Sequence, residues 1–261
     1  MQGCGNGSMR GIIPRAVEQV LVQAKNLAKQ KWRFTLSASF LEIYNEDLKD
    51  LLVSMQSGKV SMRGPKLSIK RDNEGKMFVH GLTSVPIDTT DSSEATRQLE
   101  SLMMVAAQSR SVASTKMNAQ SSRSHSIFMM RLNGFNEDSG ASVCGALNLC
   151  DLAGSERLDR SEANSDAARL KETQSINKSL SCLGVVFNAL ATGASHVPYR
   201  NSKLTYLLQD CLSGDGKALM FVNLSPTTES SGESMCSLRF AQRVNQVELG
   251  KATKHIAYTT N

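Results

Sequence analysis

The stretch VCGALNLCDL, residues 143–152, constrains the fold more than any other part of this chain. It is apolar on both of its alternating faces and breaks off at an acid, Asp151. A strand with two apolar faces has to be covered twice, which places it inside a sheet with helices on either side. The rest of the chain supplies the pieces. Residues 11–31 carry Pro14 near a helix start, with Val17, Leu21, Ala24 and Ala28 on one face. Residues 91–110 open on Asp91 or Ser92 as a cap and continue with helical spacing. Ile176, Leu180, Leu183, Phe187 and Leu190 fall at alternating steps of 4 and 3, an amphipathic helix. Residues 202–212 read as a shorter helix stopping before Gly214, and 230–247 as a final one. Strands are expected from Phe34 to Phe40, over 125–135 with a turn at Asn136–Gly140, and over 217–226 as a buried strand ending at Pro226. The segment IYNEDLKDLL, 43–52, reads as a short helix, 54–66 as a surface loop, and 66–82 as a hairpin turning at Asp72–Gly75.

The chain has 261 residues, enough for one large α/β domain or two small ones. Its six cysteines are scattered without a CxxC pair, so neither a zinc site nor a disulfide framework is indicated. Cys144 and Cys150 lie in apolar context and read as core thiols in a reducing compartment. There is no signal peptide, and no apolar run approaches the roughly 20 residues of a membrane span. The net charge of +6 suits nucleic acid, anionic lipid, an acidic protein, or simply a solvated surface.

Two stretches could carry chemistry. In NLCDLAGSE, residues 148–156, Asp151 stands where a strand end can hold magnesium, directly or through water. Gly154 can bring its amide to a terminal phosphate, because only glycine lets the backbone come that close. In NAQSSRSHS, residues 118–126, small hydroxyls flank Arg123, which can pair with a carboxylate and sense a phosphate. His125, with no second His or Cys beside it, reads as a hydrogen-bonding residue rather than a metal ligand.

Together, NxxSSRSH and DLAGSE resemble the switch I and switch II signatures of the kinesin motor family. The likeness extends to FLEIYNEDLKDLL (40–52), ETQSINKSLSCLG (172–184), HVPYRNSKLTYLLQDCL (196–212), LMFVNLSP (219–226) and SLRFAQRVN (237–245). KWRF, KLTYLLQ and the end of the chain look most like the C-terminal-motor, minus-end-directed members. The resemblance implies a three-layer, P-loop NTPase-like α/β motor fold with a central, mostly parallel or mixed sheet. The motor part would span 1–247 and a polar tail 248–261. It implies ATP and Mg2+: Ser121 and Ser122 approaching the γ-phosphate and magnesium, Asn118 supporting them, and Asp151 holding magnesium through water. Gly154 would contact the γ-phosphate, and Arg123 and Glu156 would pair to close the two switches. The helix from about 172 to 190 looks like the relay to the filament, and Lys178, Arg200 and Lys203 match positions facing acidic tubulin. The partners implied are microtubules and a second chain through a coiled coil lying elsewhere, with no nucleic acid and no membrane. The place implied is the cytoplasm, on the cytoskeleton and spindle.

One expected part is not in the sequence. There is no GxxxxGK[ST], and the Gly-rich GNGSMRG has no Lys followed by Ser or Thr. By resemblance, the chain starts just after the phosphate loop, without the strand that feeds the loop and the adenine-binding segment. That strand would lie between NLCDL and LMFVN. Two expectations follow: a motor whose 261 residues are not competent alone, or a microtubule-binding pseudo-motor without catalysis. The intact switches favour the first.

Overall fold

The computed structural model describes residues 1, 3, 7–54, 66–114, 123–155, 167–213, 216–251 and 256–258, with side chains at 92, 111–114, 167–176 and 258 left aside. A six-stranded sheet forms its middle. Strand β1 (Trp32–Tyr44) runs through the centre and pairs along one edge with β6 (His125–Asn136). Its other edge takes β2 (Asp47–Asp50) and then β5 (Val85–Ile87). Strand β7 (Ala141–Asp151) pairs with β6, and short β8 (Ile256–Tyr258) pairs with β7 over Ala141–Val143. A separate hairpin is made by β3 (Ser68–Arg71) and β4 (Met77–His80).

Period-two alternation sends successive side chains to opposite cores. Leu36, Ala38 and Phe40 of β1, with Phe128 and Met130 of β6, face one core. They meet Ile13, Val17 and Leu21 of α1 (Ile12–Ala28) and Ala95, Leu99, Leu102 and Ala106 of α2 (Ser92–Ser114). Leu41 and Ile43 of β1, with Ile127 and Met129 of β6, face the other. That core holds Leu183, Val186 and Phe187 of α3 (Ala167–Ala191), Leu204 and Leu207 of α4 (Lys203–Leu207), and Leu212 at the end of α5 (Gln209–Leu212). The β3–β4 hairpin adds Ile69, Met77 and Val79, and Phe240 of α6 (Ser231–Asn245) packs edge-on to Phe187. Helices therefore cover both faces of the sheet, as the doubly apolar strands require.

Several local expectations hold for local reasons. Asp91 caps α2, its Oδ1 accepting from the Ser93 amide at 2.8 Å. The hairpin turns at Asp72–Gly75, where Gly75 takes φ +81° and Asp72 accepts from the Glu74 and Lys76 amides. The helix 202–212 is split at Leu208 into α4 and α5, and Ser202 caps α4 by accepting from the Thr205 amide at 3.1 Å. Ala28, at the last position of α1, is exposed rather than buried.

Four expectations are corrected. Residues 43–52 form no helix. Asn45 and Glu46 take φ 51° and 62°, turning β1 tightly back into antiparallel β2; this is the two-residue turn whose twist matches paired strands. Every strand pair among the described residues is antiparallel, not mostly parallel. Tight turns such as Asn45–Glu46 can only join antiparallel neighbours. Residues 217–226 are not a buried strand; Leu219 is 80% and Phe221 67% exposed. An extended apolar segment is buried only when strands lie beside it, and β7 from Cys144 to Asp151 has no partner on its outer edge among the described residues. Cys144 lies on that edge and is exposed, not a core thiol. Cys150 is half-buried, and burial pushes its thiol up to about 12.

No helix among the described residues is long and apolar enough to cross a membrane.

Candidate functional site

The β6–β7 register brings the two chemical stretches together. Ser126 stands opposite Asp151 and Ile127 opposite Cys150, so the end of NAQSSRSHS and the start of DLAG are neighbours across a sheet. His125, the first residue of β6, is 3% exposed and bridges further. The Ala153 amide donates to its Nδ1 at 3.0 Å, and its Nε2 lies 2.8 Å from the Ser179 hydroxyl on α3. An amide N–H can only donate, so Nδ1 is the bare nitrogen and the ring proton sits on Nε2, facing Ser179. Burial disfavours the charged ring and lowers its pKa to about 4. The hydrogen-bonding role expected of His125 is the one it has.

Glu42, which sequence reasoning passed over, organises the neighbouring strand end. It is 1% exposed on β1, and Ser124 donates to its Oε1 at 2.7 Å. The Arg110 Nε lies 3.5 Å from that same oxygen, and the Lys49 Nζ 3.8 Å from Oε2. Arg110 Nη2 also reaches the Ser124 hydroxyl at 3.4 Å. Arg110 sits near the end of α2 and Ser124 just ahead of β6, so one carboxylate ties down both ends of the segment carrying Asn118, Ser121, Ser122 and Arg123. The available signal was an acid inside the apolar strand run Phe40–Ile43; a buried charge needs partners.

Between these groups lies a cavity of about 240 Å³. Ile13, Phe40 and Phe128 give it an apolar wall, and Arg110, Ser126 and Asp151 a polar one. Asp151 is exposed at its mouth. The donor set is hard oxygen: one carboxylate and a serine hydroxyl, with no cluster of three or more His, Cys, Asp or Glu among the described residues. That fits magnesium, which typically takes one or two carboxylates and completes its shell with phosphate oxygens and water, and not a metal needing a full protein cage. Arg110 on the same wall suits an anionic ligand.

Of the expected nucleotide-site residues, Asp151, Gly154 and Arg123 are described, the last half-buried just ahead of β6. Asn118, Ser121, Ser122 and Glu156 lie outside the described residues, so the Arg123–Glu156 pair is not described either.

The three expected filament-facing cations are all exposed. Arg200 lies in a short 3-10 turn, Tyr199–Asn201, with its guanidinium 5.5 Å from the Tyr206 ring centre. Lys203 opens α4, and its amide donates to Glu46 Oε2 at 2.8 Å. Glu46 is thus held at the β1–β2 turn in a left-handed backbone that glutamate rarely adopts. Lys178 on α3 acts on the Cys182 thiol, and so does Glu46: burial raises that thiol's pKa, Lys178 lowers it and Glu46 raises it further. Lys203 thus meets Glu46 through its amide, and α3 packs against both α4 and the Tyr199–Asn201 turn. Arg200 and Lys203 therefore lie on segments that pack against α3, the helix that carries Lys178.

A model described as the kinesin motor domain matches residues 1–247. Kinesin-like protein KIN-14N of Oryza sativa is 52% identical over 241 residues, 92% of this chain and 30% of that protein. Carboxy-terminal kinesin 2 of Xenopus laevis is 45% identical over 93% of this chain and 36% of its own length. The motor domain of the Saccharomyces cerevisiae kinesin-related protein Kar3 superposes with a TM-score of 0.75 at 43% identity, covering 90% of this chain and 68% of that one. A fast kinesin superposes at 0.82 with 35% identity, covering 99% and 69%. The chain thus spans about a third of the curated relatives it matches.

Proposed function

The chain belongs to the kinesin motor family, with C-terminal kinesins among its relatives, and from that premise we propose that it is the larger part of an ATP-driven microtubule motor. The observation that carries this reading is the placement of Asp151 and Gly154 beside the Ser124–Ser126 strand end, with His125 tying both to the long helix α3. Asp151, through water, and Ser122, with Ser121 beside it, would hold Mg2+ at the terminal phosphates, and Asn118 would support the serines. When bound, magnesium would supply charge neutralisation for the phosphates. Gly154 donates its amide to the γ-phosphate, and Arg123 and Glu156 close the site by pairing across it. Arg110 adds positive charge to the cavity wall. Positioning and charge stabilisation are most of phosphoryl transfer, so these fixed groups do most of what the protein does.

Lys178, on α3, meets acidic tubulin together with Arg200 and Lys203. Pairing through a coiled coil elsewhere, and work on the cytoplasmic cytoskeleton and the spindle, complete the reading. The 261 residues carry no GxxxxGK[ST], the loop type whose backbone amides cradle the β-phosphate, so no ATP turnover is expected of them alone. Phosphate release with and without microtubules, on these residues and on the full-length protein read from the genomic frame, is the test. Stimulated release by the full-length protein only is expected. Ordinary motor turnover by the 261 residues alone, or none by the full-length protein, defeats it.

A further inference from the structure

Glu42 and Asp50 are the two buried acids among the described residues. Asp50 serves the backbone, its two oxygens accepting from the Leu52 and Thr83 amides at 2.8 Å each. Glu42 instead gathers side chains from three separate elements: Ser124 just ahead of β6, Arg110 near the end of α2, and Lys49 on β2. Its Oε2 meets no hydrogen-bond donor among the described residues, and Lys49 Nζ lies 3.8 Å from it. Stability is a poor reason for a buried charge matched so incompletely, because an apolar side chain of similar size in such a place is often no worse. What the carboxylate does supply is a fixed position for each partner. Arg110 and Ser124 stand 14 positions apart in the chain, yet Arg110 Nη2 lies 3.4 Å from the Ser124 hydroxyl, and both side chains approach the same Glu42 oxygen. Asn118, Ser121, Ser122 and Arg123 all fall between them in sequence. Glu42 is two residues past Phe40 on β1 and so on the same face, and Phe40, Arg110 and Ser126 line the cavity. Glu42 therefore reaches the cavity through Arg110 rather than by lining it.

We propose that Glu42 is a positioning residue for the nucleotide site: by holding Ser124 and Arg110 together beside the cavity, it fixes where Ser121, Ser122 and Arg123 stand before the terminal phosphate arrives. This rests on the motor reading above. Glu42 touches neither nucleotide nor magnesium in that reading; it acts on the chemical step through the residues it holds. Holding both ends of the segment in advance removes freedom that would otherwise be lost in the transition state, and a misplacement of about 1 Å there can lower the rate by about a hundredfold.

The test uses the full-length protein carrying Glu42→Gln, Ser124→Ala and the pair together. Glu42→Gln keeps an acceptor for Ser124 and drops the charge that holds Arg110, whereas Ser124→Ala keeps the charge and drops the hydroxyl. Turnover is counted per nucleotide-binding site, the sites being titrated by release of a fluorescent ADP. Per-site kcat should fall by about tenfold in each single variant, with and without microtubules alike, while KM for ATP and Kd for ADP stay within about twofold, the pattern of groups that matter only in the transition state. Either substitution loosens the same segment, so the pair should lose little more than one of them alone; independent effects would multiply. A merely structural role lowers Tm and the number of titratable sites but leaves per-site kcat at the parental value. Ser124→Ala removes one oxygen and is expected to fold, so it decides the matter if Glu42→Gln yields no titratable sites. Parental per-site kcat in the variants that fold, or a rise in ADP Kd as large as the fall in kcat, overturns the positioning role and leaves the motor reading intact. A parent protein with no stimulated turnover overturns the motor reading, and the positioning role with it.

Discussion

Removing the Glu42 carboxylate should loosen the segment between α2 and β6 at both ends, and its cost follows from the surroundings. Glu42→Ala leaves the Ser124 hydroxyl, 1% exposed, without the acceptor 2.7 Å away. A hydrogen bond to a charged group is worth about 1.5–3 kcal/mol. The Arg110 side chain is 19% exposed and Lys49 43%, so solvent screens the second pair far more than the first. The Lys49 contact adds about 0–1 kcal/mol, as near-surface pairs do. The sum is about 3 kcal/mol, which for a chain of this size lowers Tm by about 6–12 °C. Glu42→Gln keeps an oxygen for Ser124 and loses only the charge, so its cost should be about 1 kcal/mol. Trp32 is the one tryptophan in the sequence and opens β1, the strand that carries Glu42, so its fluorescence follows melting of that strand directly. A Glu42→Ala chain melting within about 2 °C of the parent would show that the carboxylate is not what anchors Ser124 and Arg110.

Three further outcomes are expected. His125 has a folded-state pKa of about 4 against 6.5 unfolded. The unfolded chain therefore binds the extra proton first, and stability is lost as pH falls below 6.5, by about 1.4 kcal/mol at pH 5.5. Denaturant midpoints of the parent and His125→Gln compared between pH 7 and 5 check this, since every other group cancels; equal slopes would refute it. Arg123→Ala in the full-length protein should leave nucleotide binding largely intact and abolish microtubule-stimulated phosphate release, and wild-type turnover would refute its switch-closing role. Replacing Lys178, Arg200 and Lys203 together by Ala should weaken microtubule co-sedimentation at low salt and leave filament-free turnover unchanged. The parent's binding should itself fade as the screening length drops from about 10 Å at 0.1 M salt to about 3 Å at 1 M. If the triple variant binds like the parent, the basic face lies elsewhere, and Lys70 and Arg71 on the β3–β4 hairpin come next.

Whatever rests on near neighbours in the chain was legible from the residues. The stripe of α1, the Asp91 cap, the Gly75 turn and the Leu183–Phe187 face of α3 are set by spacings of two to four residues, and those distances hold in any fold. The doubly apolar strands likewise required helices on both faces, and α1 and α2 on one side and α3, α4 and α6 on the other supply them. Where the local pattern fitted two structures, the sequence could not choose. DLKDLL suits a helix or a strand, and only the left-handed Asn45–Glu46 turn against β1 made it a strand. Residues 217–226 have a strand's composition, yet burial depends on having strands alongside, which is a property of the sheet and not of the segment. Cys144 was misjudged for the same reason. The site divides in the same way. Asp151, Gly154 and Arg123 announce themselves by residue type in a short motif. Glu42 meeting Ser124 across 82 positions, and His125 meeting Ser179 across 54, are partners that only the packed sheet and helix bring within hydrogen-bond reach. A side chain's bonding capacity is written in its identity, but which atom receives the bond is settled by the tertiary structure, because burial removes water as the alternative partner.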